Sequence, residues 1–218
     1  MNIKSFIRDL FVLAVVASIV IGFINKETNE YVRISGQVEK HDRSSYEIIA
    51  FGDSLVKGFG VLEDKNFTSL LEQRIGIPIL NKGIIGDTTE TALERLEEDL
   101  LFLNPQIVIV LIGGNDVLHY IPVEQTFDNI EHILEKITEN GATPLLVGIR
   151  GGIFIDRYKE SYEVLVTKTQ TRFVPDILSG ILFNYNFMFD FIHPNARGHE
   201  VIADRLEPEV RRLIREVL

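Results

Sequence analysis

From Tyr46 onward, short apolar runs alternate with longer segments that carry apolar residues on one helical face. The runs are residues 48–51, 77–80, 107–112, 144–149 and, more weakly, 172–175. All are short, and the third is rich in β-branched residues, as suits a strand buried on both faces. Between them, residues 88–103 place Ala92, Leu93, Leu96, Leu100 and Leu103 among acids, and residues 123–139 line up Phe127, Ile130, Ile133, Leu134 and Ile137. Both patterns have helical spacing. Gly141 follows the second where a C-terminal cap would sit. Helical patterns at 195–206 and 208–218 close the chain, with Pro208 suited to a first turn. Strand-helix alternation with right-handed crossovers yields a parallel sheet covered by helices on both faces. The expected architecture is therefore α/β, a three-layer α/β/α sandwich around a parallel sheet of about five strands.

Composition narrows the chemistry. A chain of 218 residues supports one domain with a sizeable core. Its formal net charge of −10 argues against nucleic acid as a partner, because phosphate neutralisation needs a Lys/Arg surplus. Without cysteine there is no disulfide, thiolate nucleophile or Cys-ligated zinc. The five histidines are scattered without metal-ligand spacing, so no metal and no cofactor are expected.

The N-terminus reads separately. Lys4 and Arg8 precede an uncharged apolar run over residues 10–24, which Asn25, Lys26 and Glu27 end. At 1.5 Å per residue this run spans about 22 Å, short of a bilayer core of about 30 Å. The best peptidase site, Val15-Val16-Ala17, would cut through the middle of the run. Residues 1–25 are therefore expected to form an uncleaved membrane anchor, with the basic end cytoplasmic and the remainder in the cell envelope. The alternative is a cleaved signal segment and a secreted or periplasmic product. Residues 26–45 read as a polar linker and residues 46–218 as the folded domain.

Ligands of parallel sheets sit at the carboxyl ends of the strands. Three polar or glycine-rich loops fall there: Asp53-Ser54, residues 83–87 and residues 113–116. Far downstream, Asp190 and His193 supply a carboxylate and an imidazole three residues apart. A serine hydroxyl needs a base to remove its proton as it attacks, and a carboxylate can hold that base in the productive tautomer. Ser54, His193 and Asp190 fit those parts. Backbone amides of Ser54 and Gly86, with the side-chain amide of Asn115, are candidate donors to a developing oxyanion. Taken singly, each motif also fits a turn or a cap; their conjunction, in order and at strand ends, is what points to chemistry.

The chain resembles the SGNH (GDSL-type) hydrolases, in particular the bacterial thioesterase I, arylesterase and lysophospholipase L1 group. Four blocks carry the resemblance: Gly52-Asp53-Ser54-Leu55, residues 81–88, Gly113-Gly114-Asn115-Asp116, and Asp190-Phe191-Ile192-His193-Pro194. It covers roughly residues 46–206 and implies a flavodoxin-like sandwich. It implies Ser54 as nucleophile, His193 as general base, Asp190 as its orienting partner, and Gly86 and Asn115 in the oxyanion hole. Residues 151–158 and 178–189 match no family motif and are expected to shape the acyl pocket.

The expected function is a cofactor-free serine esterase or thioesterase acting on small-molecule or lipid acyl esters through an acyl-enzyme. Activity should fall as pH drops through roughly 6 to 7, because the base must be neutral. A carbohydrate O-acetylesterase acting on envelope glycans is the alternative within enzymes, and a non-catalytic ligand-binding module is the alternative outside them. Asp53 and Asp116 are expected to brace their loops. His41 is expected in the solvated linker, His119 and His132 as structural residues, His199 on a helix surface, and Asn66 at the start of a helix. Oligomeric state is not legible.

Overall fold

A computed structural model describes residues 47–149 and 157–218 of the chain. The expected anchor at 1–25, the linker at 26–45 and His41 lie outside the described residues. Among the described residues no helix is long and apolar enough to cross a membrane.

Five parallel strands form one sheet: β1 (Ile48–Gly52), β2 (Ile79–Gly83), β3 (Ile107–Leu111), β4 (Thr143–Val147) and β5 (Arg172–Val174), in the order β2-β1-β3-β4-β5. The chain winds outward from β1 in both directions, so β1 and β3 flank the point where the winding reverses. Their carboxyl ends diverge into separate loops, which opens a crevice there. Register pairs Gly52 with Gly83 on one side and with Leu111 on the other.

The helices are α1 (Ser54–Lys57), α2 (Phe67–Ile75), α3 (Thr89–Asp99), α4 (Gly114–Leu118), α5 (Val123–Glu139), α6 (Arg157–Thr169) and α7 (Ala196–Val217). Alternating strand residues feed two cores. Ile48, Ala50, Ile107, Ile109, Leu145 and Val147 pack with Phe67 and Leu71 of α2 and with Ile202, Leu206 and Val210 of α7. On the other face, Ile49, Phe51, Val108, Val110 and Leu146 pack with α3, α5 and α6. Both faces of the central strands are thus dry, which is why the sequence there is a continuous β-branched run rather than an alternating one.

Several boundaries differ from the sequence reading. The second strand was expected at 77–80 and lies at Ile79–Gly83. It is an edge strand whose middle residues are only partly buried, so Asn81 and Lys82 enter the ladder despite their polarity. Residues 88–103 divide into α3 and a short 3-10 turn at Leu101–Leu103. The two closing helices are one, α7, with Pro208 inside it. Pro208 cannot donate to the Asp204 carbonyl, but it sits on the exposed face. Leu206, Val210 and Leu213 stay buried across it and hold both halves to the sheet. His199 is not on a helix surface: it is fully buried, stacked on Phe67 with ring centroids 6.0 Å apart, and its Nδ1 accepts from the Phe67 amide at 3.3 Å. Asn66 does open a helix, its Oδ1 taking the Thr68 amide at 2.6 Å.

Candidate active site

Ser54 is positioned from below by glycine. A Cβ on Gly52 would lie 1.8 Å from the Leu111 carbonyl oxygen, so only glycine lets β1 end against β3 in this way. The next residue, Asp53, caps α1: its Oδ1 accepts from the Leu55 amide at 2.9 Å. Asn66 fixes the other end of that turn, its Nδ2 donating to the carbonyls of Val56 and Lys57 at 3.3 and 3.1 Å. The four-residue helix is thereby held, and Ser54 at its first position is a buried residue, 7% exposed, at the crevice.

The imidazole arrives from the loop before α7. Asp190 Oδ1 accepts the amides of Ile192 at 2.9 Å and His193 at 2.7 Å, closing a tight turn. Its other oxygen lies 2.7 Å from His193 Nδ1, and His193 Nε2 lies 3.0 Å from Ser54 Oγ. Burial raises the Asp190 carboxyl, but hydrogen bonds from the His193 ring and from the Ile192 and His193 amides outweigh it and hold the group below its ordinary value. An ionised Asp190 accepts a hydrogen bond from Nδ1–H and so keeps the proton on that nitrogen, which leaves the Nε2 lone pair facing the serine hydroxyl. Phe59 packs on the imidazole at 4.6 Å between centroids and meets Phe189 edge-on at 6.1 Å, limiting how the ring can tilt.

A pocket beside Ser54 and His193 is lined by Asn115 and Gly114 from the β3 loop and by the apolar side chains of Leu118, Ile149, Leu178 and Ile192. Asn115 Nδ2 donates to the Asp87 carbonyl at 2.8 Å, which leaves its second N–H for another acceptor. Gly86 is not part of that lining; it sits exposed in the preceding turn, with φ +86°, a conformation that favours glycine. Ser54, Asp190, His193 and Asn115 therefore converge, with Gly86 joined to them through its neighbour Asp87.

Asp53 and Asp116 brace loops as expected. Asp116, fully buried, accepts from the Thr89 amide at 3.0 Å, from Thr89 Oγ1 at 2.5 Å and from Thr126 Oγ1 at 3.3 Å. Asp53 has a weaker set of donors. Burial, with Asp87 and Asp116 nearby and only partly offset by the Leu55 amide, pushes it up to about 7. Among the described residues no group of three or more His, Asp or Glu is arranged to hold a metal ion.

The sequence reading missed Arg95. Its Nε lies 2.6 Å from Asp87 Oδ2, one terminal nitrogen reaches Asp99 at 3.0 Å, and the other donates to the carbonyls of Gly52 and Lys82, both at 3.0 Å. A signal existed: Asp87, Thr91, Arg95 and Asp99 recur every four residues along one helical stripe.

Comparison with known proteins identifies the family. The GDSL-like lipase/acylhydrolase family model matches residues 50–201. An arylesterase of Vibrio mimicus is 26% identical over 179 residues, covering 77% of this chain and 90% of that protein. Thioesterase 1/protease 1/lysophospholipase L1 of Escherichia coli strain K12 is 29% identical over 175 residues, covering 77% and 84%. The crystal structure of TesA superposes with a TM-score of 0.72 at 26% identity, covering 76% of this chain and 98% of that one. The chain belongs to the GDSL-like lipase/acylhydrolase family and is a hydrolase of ester bonds.

Proposed function

We propose that the protein is a serine esterase or thioesterase that cleaves small acyl esters through an acyl-enzyme. Ser54 Oγ attacks the carbonyl while His193 Nε2 takes its proton, and Asp190 holds the imidazole and offsets its positive charge. The amides of Ser54 and Gly86 and the Asn115 side chain receive the oxyanion. His193 then returns the proton to the leaving group, and water, activated by the same base, releases the acid and restores Ser54. The observation that carries this reading is the chain of contacts from Asp190 through His193 to Ser54, at 2.7 and 3.0 Å.

Leu118, Ile149, Leu178 and Ile192 support an acyl chain in the pocket over an acetylated sugar, since they offer hydrocarbon and no polar partner to hydroxyls. The test is an ester and thioester panel of increasing acyl length, with acetylated sugars alongside. Turnover rising from acetyl to butyryl or longer supports the reading, and a preference for acetylated sugar opposes it. Ser54→Ala should lower turnover roughly ten-thousandfold while leaving the melting transition in place. Retained turnover refutes the nucleophile.

The basic, then apolar, N-terminal sequence supports anchoring of the enzyme at a membrane, with arylesters or lysophospholipids within reach of the site. Fractionation of cells expressing the full chain tests this. Recovery of full-length protein with membranes, released by detergent and not by salt, is the expected result; a shortened soluble product would show cleavage instead.

A further inference from the structure

We propose that Arg95 is the positioning residue of the oxyanion hole, acting through Asp87 on Gly86 and Asn115. This inference rests on the reading above of Ser54, Gly86 and Asn115 and adds what sets their spacing.

The donors to the oxyanion come from three separate loops, after β1, β2 and β3, and nothing in strand pairing fixes one loop tip against another. Arg95 does so with one rigid group. Its guanidinium lies 4.2 Å over the Phe51 ring and donates to the carbonyls of Gly52 and Lys82, which end β1 and β2. From that platform Nε holds Asp87 at 2.6 Å, with side chains only 14% and 8% exposed. Thr91 Oγ1 gives the same carboxylate a second donor at 3.1 Å. Asp87 directly follows Gly86, and its amide closes the turn onto the Ile84 carbonyl at 3.3 Å. Its own carbonyl accepts from Asn115 Nδ2 at 2.8 Å. A single planar cation therefore ties the strand end two residues before Ser54 to the turn bearing Gly86, and that turn in turn orients the Asn115 amide. The planar fork matters: a lysine ammonium could pair with Asp87 but could not span both strand-end carbonyls and Asp99. Arg95 is not among the residues that line the pocket, and its route to Gly86 and Asn115 runs through Asp87.

The test is a double-mutant cycle on p-nitrophenyl butyrate hydrolysis, with active sites counted by fluorophosphonate labelling at completion. Arg95→Lys should lower kcat per labelled site about 10- to 100-fold, with KM changed less than about threefold. Asn115→Ala should lose roughly 100-fold or more. Adding Arg95→Lys to Asn115→Ala should cost clearly less than Arg95→Lys costs alone, because the group it orients is already gone. Asp87→Asn, which keeps the side-chain shape while weakening the ion pair, should reproduce the kcat-selective loss if Arg95→Lys fails to fold. Wild-type kcat per labelled site in both Arg95→Lys and Asp87→Asn, or losses that multiply in the double variant, would overturn the proposal. Failure of the wild type to label, or turnover surviving Ser54→Ala, would instead remove the reading of the site on which it rests.

Discussion

Two buried groups beside Ser54 and His193 titrate in opposite directions. Asp53 rises from 3.8 to about 7, first because burial penalises its charge and then because Asp87 and Asp116 lie near. A raised carboxyl binds its proton more tightly in the folded than in the unfolded chain. Its contribution to stability is therefore complete below the unfolded value near 3.8 and disappears as pH rises through 7. Asp53→Asn keeps an acceptor for the Leu55 amide and removes the titration. Between pH 4.5 and 8, urea denaturation should show wild type losing up to about 3 kcal/mol relative to this variant; a constant difference would contradict the buried-acid account. His199 behaves conversely, lowered by burial and then by His193 to about 4. Its contribution is present above 6.5 and is lost as pH falls toward 4. Wild type should lose about 2–3 kcal/mol relative to His199→Gln between pH 7.5 and 4.5. Ser54, Asn115, Asp190 and His193, which the structure brings near one another, could be singled out in the sequence because each sits in a short motif at a strand end or just before a helix. The sequence reading misplaced His199 and missed Arg95 for one reason: whether a polar side chain inside a helix turns inward depends on a distant partner, Phe67 in one case and Gly52 in the other.

Elements were legible where burial was complete and blurred where it was partial. The central strand β3 and the helix α5 coincide with their apolar patterns because tertiary contacts and local periodicity agree there. At β2, pairing with β1 recruits polar residues that no hydrophobicity pattern marks. In α7, the apolar stripe overrides the proline, which local rules place at a helix start. Pro208→Ala should restore a backbone hydrogen bond at an exposed position. It is expected to stabilise the protein by about 1–2 kcal/mol, after allowing for the looser unfolded chain, and to raise the melting temperature. Gly52→Ala should do the reverse. Its Cβ meets the Leu111 carbonyl, a backbone atom unable to yield without parting β1 from β3. A loss of about 3 kcal/mol or more, with turnover reduced in the fraction that folds, is expected from thermal melts and kinetics.

At the scale of the molecule, the sheet order places the site before any side chain is considered. Reversal of winding between β1 and β3 opens the crevice into which Ser54 and Asn115 project from adjacent loops. The final helix then brings His193 to it from 139 residues away. That long-range placement was not readable from spacing; it follows from α7 packing beside α2 on one face of the sheet. Substrate preference was the least legible part, because Leu178 and Ile192 reach the pocket from loops without helical or strand periodicity. The most direct measurement of the central claim is peptide mapping by mass spectrometry after treatment with a fluorophosphonate. One adduct on Ser54, absent from Ser54→Ala and formed far more slowly by His193→Ala, is the predicted result. An adduct on another residue, or ester turnover by a wild type that never acquires one, would contradict it.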